Sequence, residues 1–376
     1  MSSEKLSGCS PSNPSCVRKI RDDLKKIIIL CLLTCSFPTF GQEDEKPIQW
    51  DISGFVDLYY GQDFREPLAG DRFPFLYNHN RKNRPSINLA LVTVQLKSKY
   101  FRANLGIQQG TYAQDNLSEE PKALRWIHQA NVGVALDQNQ SLWLDVGVLP
   151  SHIGFENAIS TKNLTLSRSL IAENSPYFET GARLKWKMNQ RWDFAFLVLN
   201  GWQRIRFIPG KAAPSFGTRA TYTPNENTTL NWSTFLGTDQ PAESGTYLYF
   251  SNLFGKFRLD QKWNLIIGLD VGNRTVEGDF NPTWWGTSLI LQRQFSGKFA
   301  SAIRYEYYHD PFQAIATSLN NWGIETGGIS LNTDWTLGKV AILRLEGRYL
   351  TGPSLGQDNG NSTDFFLLGS IAFTLN

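Results

Sequence analysis

From Trp50 to the end of the chain the sequence repeats one unit, about ten residues of alternating apolar and polar side chains followed by a connection that is short and long in turn. A period of two is that of a β-strand, so each unit presents one apolar and one polar face. In Trp263 to Val271, Trp263, Leu265, Ile267, Leu269 and Val271 share one face, while Asn264, Gly268 and Asp270 share the other with Ile266. On another segment Leu343, Leu345 and Tyr349 alternate with Arg344, Glu346 and Arg348. A soluble sheet would bury the apolar set. Three charges on the opposite face fit a wet lumen better than a dry core, so the apolar set points outward to lipid.

Sixteen such segments begin near Trp50, Ser86, Phe101, Ala123, Ser141, Tyr177, Arg191, Ser215, Thr228, Thr246, Trp263, Trp284, Lys298, Gly323, Lys339 and Thr363. Short connections at 97–99, 137–140, 189–190, 224–227, 260–262, 295–297 and 336–338 read as seven periplasmic turns, and eight longer segments lie between them. That count requires an even number of strands with both termini on the periplasmic side. The expected fold is all-β, a transmembrane antiparallel up-and-down β-barrel of about 16 strands, with about 14 or 18 left by one boundary error. Trp50, Trp126, Trp192, Trp202, Trp263, Trp284, Trp285, Trp322 and Trp335 sit near strand ends, where aromatic girdles belong.

Ahead of the barrel, the apolar run Ile27 to Leu33 follows Arg18, Lys19, Arg21, Lys25 and Lys26. It is too short to span a membrane and has the layout of a secretory signal. Residues 1–41 are therefore expected to be a removed leader, 42–49 a short periplasmic segment and 50–376 the barrel. All four cysteines lie in the leader, so the exported chain carries no disulfide. Its removal takes six of the 37 Lys and Arg and three of the 34 Asp and Glu, leaving 31 of each.

The stretches Pro150-Ser151-His152-Ile153-Gly154, Ser175-Pro176-Tyr177-Phe178-Glu179-Thr180-Gly181 and Asn200-Gly201-Trp202-Gln203, followed by Tyr222-Thr223-Pro224-Asn225, give a resemblance to the beta-barrel porin 2 family of Gram-negative outer membranes. It covers roughly Ile52 to Asn376. The resemblance implies a porin-like channel and carries no functional residue with it.

Alternation places Asp51, Asp57, Arg102, Arg125, Asp145, Glu179 and Asp270 inside the barrel, together with the candidate pore-lining set Arg183, Lys185, Lys187, Arg219, Arg304, Glu306, Arg344, Glu346 and Arg348. Arg183, Lys185, Lys187 and Arg219 form a segregated basic group that predicts a mild anion preference; pairing with lumenal acids is the equal alternative. The third outer loop, 149–176, is too long for an ordinary connection. It carries His152, Glu156, Arg168 and Glu173 as candidates to line a constriction, and its stretch 164–172 has the makings of a short helix.

The first outer loop holds Arg65, Arg72, His79, Arg81, Lys82 and Arg84, read as solvated, with lipopolysaccharide phosphates as the alternative partner. Asp358, Asn361 and Asp364 are too generic to specify Ca²⁺. No catalytic, cofactor or metal site is expected. Ser151 and His152 are adjacent, which points them apart, and no phosphate-binding glycine motif precedes a helix.

The expected function is an outer-membrane porin for passive diffusion of small hydrophilic solutes. Expected partners are outer-membrane lipid, lipopolysaccharide and the barrel-assembly machinery, with a homotrimer by analogy and no nucleic acid. The alternatives are an adhesin or surface-binding barrel, whose lumen would be plugged, and a barrel-embedded hydrolase.

Overall fold

A strand crossing hydrocarbon must pair every backbone N–H and C=O within the protein, and only closure of the sheet removes the two unpaired edges. The computed structural model describes residues 48–64, 71–211, 213–275, 281–318, 323–356 and 362–375. The leader with its cysteines, Arg65, Trp322, Asp358 and Asn361 lie outside the described residues.

Sixteen strands close into one antiparallel barrel in which each strand pairs with its sequence neighbours and the last with the first. They are β1 (Gln49–Asp63), β2 (Pro85–Lys97), β3 (Phe101–Gln109), β4 (Ile127–Ala135), β5 (Leu142–Pro150), β6 (Phe178–Lys187), β7 (Trp192–Leu199) and β8 (Ser215–Asn225). The second half comprises β9 (Thr228–Gly237), β10 (Tyr247–Arg258), β11 (Trp263–Thr275), β12 (Thr283–Ser296), β13 (Phe299–Asp310), β14 (Ile324–Leu337), β15 (Ala341–Gly352) and β16 (Ser362–Leu375). Closure is tied by register pairs such as Gly54 with Leu375 and Asp63 with Phe366.

Seven connections are two to six residues long and alternate with the long ones, as the parity argument requires. Short polar side chains build them. Asn189 Oδ1 accepts from the amides of Arg191 and Trp192, and Asp260 Oδ1 from those of Lys262 and Trp263, an arrangement that lets the backbone reverse without a full strand pair.

Facing follows the alternation. On β13, Ile303 and Tyr305 are 44% and 57% exposed on the outer wall, while Arg304 and Glu306 between and beside them are 0% exposed. Three expectations need correction. The fourth strand starts at Ile127 and not near Ala123, because Lys122–Leu124 is a 3-10 turn; Arg125 consequently sits in the outer connection, donating to the carbonyls of Glu120 and Ser118. Trp284 is fully buried on the inner face and Trp202 packs edge-on against Phe235 and Phe250, so neither belongs to a lipid-facing girdle, whereas Trp50, Trp126, Trp192, Trp285 and Trp335 are exposed.

The third correction is the largest. The barrel's interior is a packed core, with Phe73, Phe75, Ile153, Phe155, Leu170 and Ile171 from the outer loops meeting Leu197, Phe235, Phe250 and Trp284 from the wall. This explains why β10 is apolar on both faces: Leu248, Phe250 and Phe254 point inward to the loops, Phe254 against Phe155 at 5.8 Å between ring centroids.

Candidate functional site: the loop inside the barrel

The connection 151–177 between β5 and β6 crosses the lumen and is hydrogen-bonded to much of the wall. At its start His152 bridges two strands, with Nδ1 2.7 Å from Glu179 Oε2 on β6 and Nε2 2.8 Å from the Thr234 carbonyl on β9. Ser233 Oγ donates to the His152 carbonyl at 2.7 Å. The imidazole fits because the residue facing it on β8 is Gly217, where a Cβ would lie 2.7 Å from the ring. Phe155 is admitted the same way by Gly268 on β11, where a Cβ would come within 2.2 Å of its ring. Inward glycines therefore mark where the loop lies on the wall.

The middle of the loop is held by charge. Ser160 Oγ donates to Asp57 on β1 at 2.8 Å. Arg344 donates to the Ser160 and Asn163 carbonyls at 2.6 and 3.2 Å while gripping Asp334 of β14 through two nitrogens at 2.8 and 3.0 Å. Glu346 accepts from Ser167 N at 2.6 Å, Ser167 Oγ at 2.9 Å and Arg304 Nη2 at 2.9 Å. Arg304 also donates to the Ser167 carbonyl at 2.7 Å. Glu306 takes a bidentate pair from Arg348 at 2.9 and 3.0 Å and the Leu170 amide at 2.8 Å. Arg304, Glu306, Arg344, Glu346 and Arg348 face inward as expected, yet they meet the loop instead of water. Burial of such ions is tolerable only with partners and further hydrogen bonds, many of which the loop backbone supplies; Arg304 Nε makes no hydrogen bond and lies 3.3 Å from Glu306 Oε1.

The four loop candidates serve this docking. Glu156 caps Ser169, accepting from its amide and hydroxyl. Arg168 lies over the Tyr177 ring, 3.2 Å from its centroid, and burial lowers its pKa to about 10 against the pull of Glu156 and Glu173. Glu173 Oε2 accepts from Tyr77 N at 2.8 Å and Asn78 Nδ2 at 3.0 Å, and burial raises its carboxyl above the usual range. The helix here is the single turn Leu170–Glu173, shorter than the expected 164–172, because 165–169 is drawn out along β13–β15 to donate its amides to carboxylates.

The first outer loop also turns inward, overturning its reading as solvated. Arg72 pairs with Asp364, His79 with Asp57 at 2.9 Å, and Arg81 with Asp115 at 2.7 Å. Among the described basic residues of this loop only Arg84, paired with Asp71 at 2.5 Å, keeps an exposed side chain. Among the described residues no cluster of three His, Cys, Asp or Glu could hold a metal ion.

On the opposite wall the basic group is brought together as expected and partly neutralised. Asp145 of β5 takes Arg102 through two bonds at 2.7 and 2.6 Å and Arg183 at 3.1 Å. Asp193 of β7 takes Arg219 at 2.8 Å and Lys185 at 3.4 Å. Lys187 is exposed and pairs with no described acid. Five cations thus face two carboxylates, and Lys185 keeps 37% of its side chain exposed. The signals missed in the sequence are the partners: Asn332, which accepts from Leu166 N, and Asp364, which pairs with Arg72, lie far along the chain from the loops they hold, and no local spacing announces them.

A closed sixteen-stranded antiparallel barrel, apolar outside, with charged inner walls and a long inward loop between the fifth and sixth strands, is a barrel of the porin type. The chain belongs to the family described as Putative beta-barrel porin-2, OmpL-like, whose profile matches residues 49–375. No curated protein sequence matches it. Among solved structures it is similar to OmpF of Salmonella typhi in complex with daunomycin, with a TM-score of 0.61, 11% identity, and 88% of this chain and 100% of that one covered. An anion-selective porin from Comamonas acidovorans gives a TM-score of 0.59 and 10% identity, covering 88% of this chain and 100% of that one. The outer-membrane channel DcaP of Acinetobacter baumannii gives 0.58 and 9%, covering 87% and 97%. At these identities the likeness is one of fold.

Proposed function

We propose that the protein is a non-enzymatic outer-membrane channel through which small hydrophilic solutes diffuse, with loop 151–177 as its constriction. The observation that carries this reading is the asymmetry of the inner wall. The loop is docked against β13–β15, where inward charges are buried, and the side chains of Arg102, Arg183, Lys185 and Arg219 on the other side stay 16% to 37% exposed. A path beside the loop would run along that basic wall, and five cations to two carboxylates bias it mildly toward anions. The exposed apolar outer wall supports insertion in the outer membrane, and assembly as a trimer is an extension of the same reading, since one of the similar structures, OmpT of Vibrio cholerae, is described in a trimer form.

The packed outer half of the lumen favours a second reading, a plugged barrel that binds at the cell surface. Single-channel conductance in planar bilayers separates the two. The channel reading expects measurable conductance for the intact protein and a larger one after deletion of residues 157–170. Silence of both proteins would leave the surface-binding reading in its place.

A further inference from the structure

At the outer mouth lies a cavity of about 150 Å³ whose floor is the end of the inner loop and whose sides come largely from the β3–β4 and β7–β8 connections. Glu173 and Asn174 form that floor at 3% and 5% exposure. Glu173 Oε2 is occupied by Tyr77 N and Asn78 Nδ2, and Asn174 Nδ2 donates to the Leu170 carbonyl at 2.8 Å and the Phe75 carbonyl at 3.4 Å. Glu173 Oε1 and Asn174 Oδ1, both buried, accept nothing from any described residue. Buried acceptors without donors are rare and costly, so an occupant that satisfies them must bring donors.

The rest of the lining selects its charge. Arg204 is the one cation among the described lining residues, 3.4 Å from Glu119 and 3.5 Å from Asp239. Glu120 is pinned by the amides of Ile205 and Arg206 at 2.9 and 3.2 Å, which leaves its charge in place. Three carboxylates to one guanidinium, before Glu173 is counted, make the cavity electronegative. Among the described lining residues, Arg204 Nε is the one buried donor without a hydrogen-bond partner. Trp202 supplies an aromatic wall, and Gln203 beside it ties two loops together, accepting from Tyr177 N at 2.8 Å and donating to the Asn116 carbonyl at 3.0 Å. The Asn-Gly-Trp-Gln stretch singled out in the sequence is therefore part of this cavity.

We propose that the cavity binds a small solute bearing a primary ammonium group, which donates to Glu173 Oε1 and Asn174 Oδ1, with a hydroxyl or carbonyl oxygen of the solute accepting from Arg204 Nε. An ammonium has three donors and no acceptor, so one group meets both oxygens and offsets the charge. A neutral polyol meets the oxygens alone, and an anion is repelled.

Titration calorimetry on the full-length protein in detergent micelles tests this with ethanolammonium chloride, ethylene glycol and sodium glycolate. The expected result is saturable binding of ethanolammonium about tenfold tighter than ethylene glycol, no binding of glycolate, and about tenfold weakening in Glu173→Gln. Asp239→Asn, which leaves the loop's anchors intact, should weaken it in the same direction if Glu173→Gln loses its strand circular dichroism. Equal affinity for ethylene glycol, tighter binding of glycolate, or no saturable heat overturns the proposal. The measurement is independent of conduction: a silent barrel that binds ethanolammonium refutes the channel reading alone, and a conducting one that binds none refutes the cavity alone.

Discussion

The two inner walls carry similar numbers of charges and put them to different use. On β13–β15, Arg304, Arg344 and Arg348 are matched one for one by Glu306, Glu346 and Asp334, and loop backbone makes further hydrogen bonds with them. On β3–β8, four of the five cations share Asp145 and Asp193, Lys187 pairs with no described acid, and the cationic side chains remain partly in water. An inward charge on a strand thus says nothing by itself about whether a solute meets it; the position of the docked loop decides. The wall β13–β15 holds the middle of the loop, while on β3–β8, beyond the His152 anchor on Glu179, the basic group is left to face whatever passes.

The sharpest way to break this comparison is to remove one cation from each wall. Arg304→Met strands Glu346 as a buried carboxylate without its guanidinium partner, and should cost about 3 to 5 kcal/mol in denaturant unfolding of the reconstituted barrel. Arg183→Met removes a partly exposed cation and leaves the buried Asp145 with its bidentate Arg102, and should cost about 0 to 1 kcal/mol. Equal costs would mean that the walls do not differ as their burial indicates.

A smaller effect is expected where the loop meets the first outer loop. Burial raises the Glu173 carboxyl above its ordinary value of 4.5, against the opposing pull of Arg168 and the Tyr77 amide. A raised carboxyl binds its proton more tightly in the folded state. Its contribution to stability is therefore complete below pH 4.5 and is lost as pH rises through the raised value. Protection of the Tyr77 amide against hydrogen exchange, corrected for the intrinsic rate, should fall as pH rises above 4.5, and Glu173→Gln should make that profile flat. A profile unchanged by the substitution would detach this contact from Glu173.

How much of this was legible in the sequence follows from the range of the interactions. Strand number, parity and facing depend on a period of two and on turn residues such as Asn189 and Asp260, all local, and they were readable. The length of the loop 151–177 and its apolar residues Ile153, Phe155, Leu170 and Ile171 also said that it needed a buried surface. Its resting place was not readable, because it depends on Glu346 meeting Ser167 and on Arg344 meeting Ser160 across the lumen. Arg344, Glu346 and Arg348 on one strand pointed to water for a sound reason, the cost of burying ions, and the reading failed because the compensating groups come from a distant segment. The glycines at 217 and 268 were the available signal: inward, in the middle of strands, with no turn to explain them.

The smallest change in stability should come with an informative change in function. Lys185→Glu replaces a partly exposed cation, 3.4 Å from Asp193 and with a neighbouring Arg219 still bound to that acid, so unfolding should shift by less than about 1 kcal/mol. The basic group changes from five cations and two carboxylates to four and three, which removes most of its excess. If solutes pass along this wall, the reversal potential in a salt gradient should move toward cation selectivity. Arg344→Gln alters formal charge on the anchoring wall, where Asp334 and the loop already shield it, and should move the potential less in spite of its larger cost in stability. A larger shift from Arg344 than from Lys185 would place the path along β13–β15, and the loop would then have to leave that wall before anything could pass.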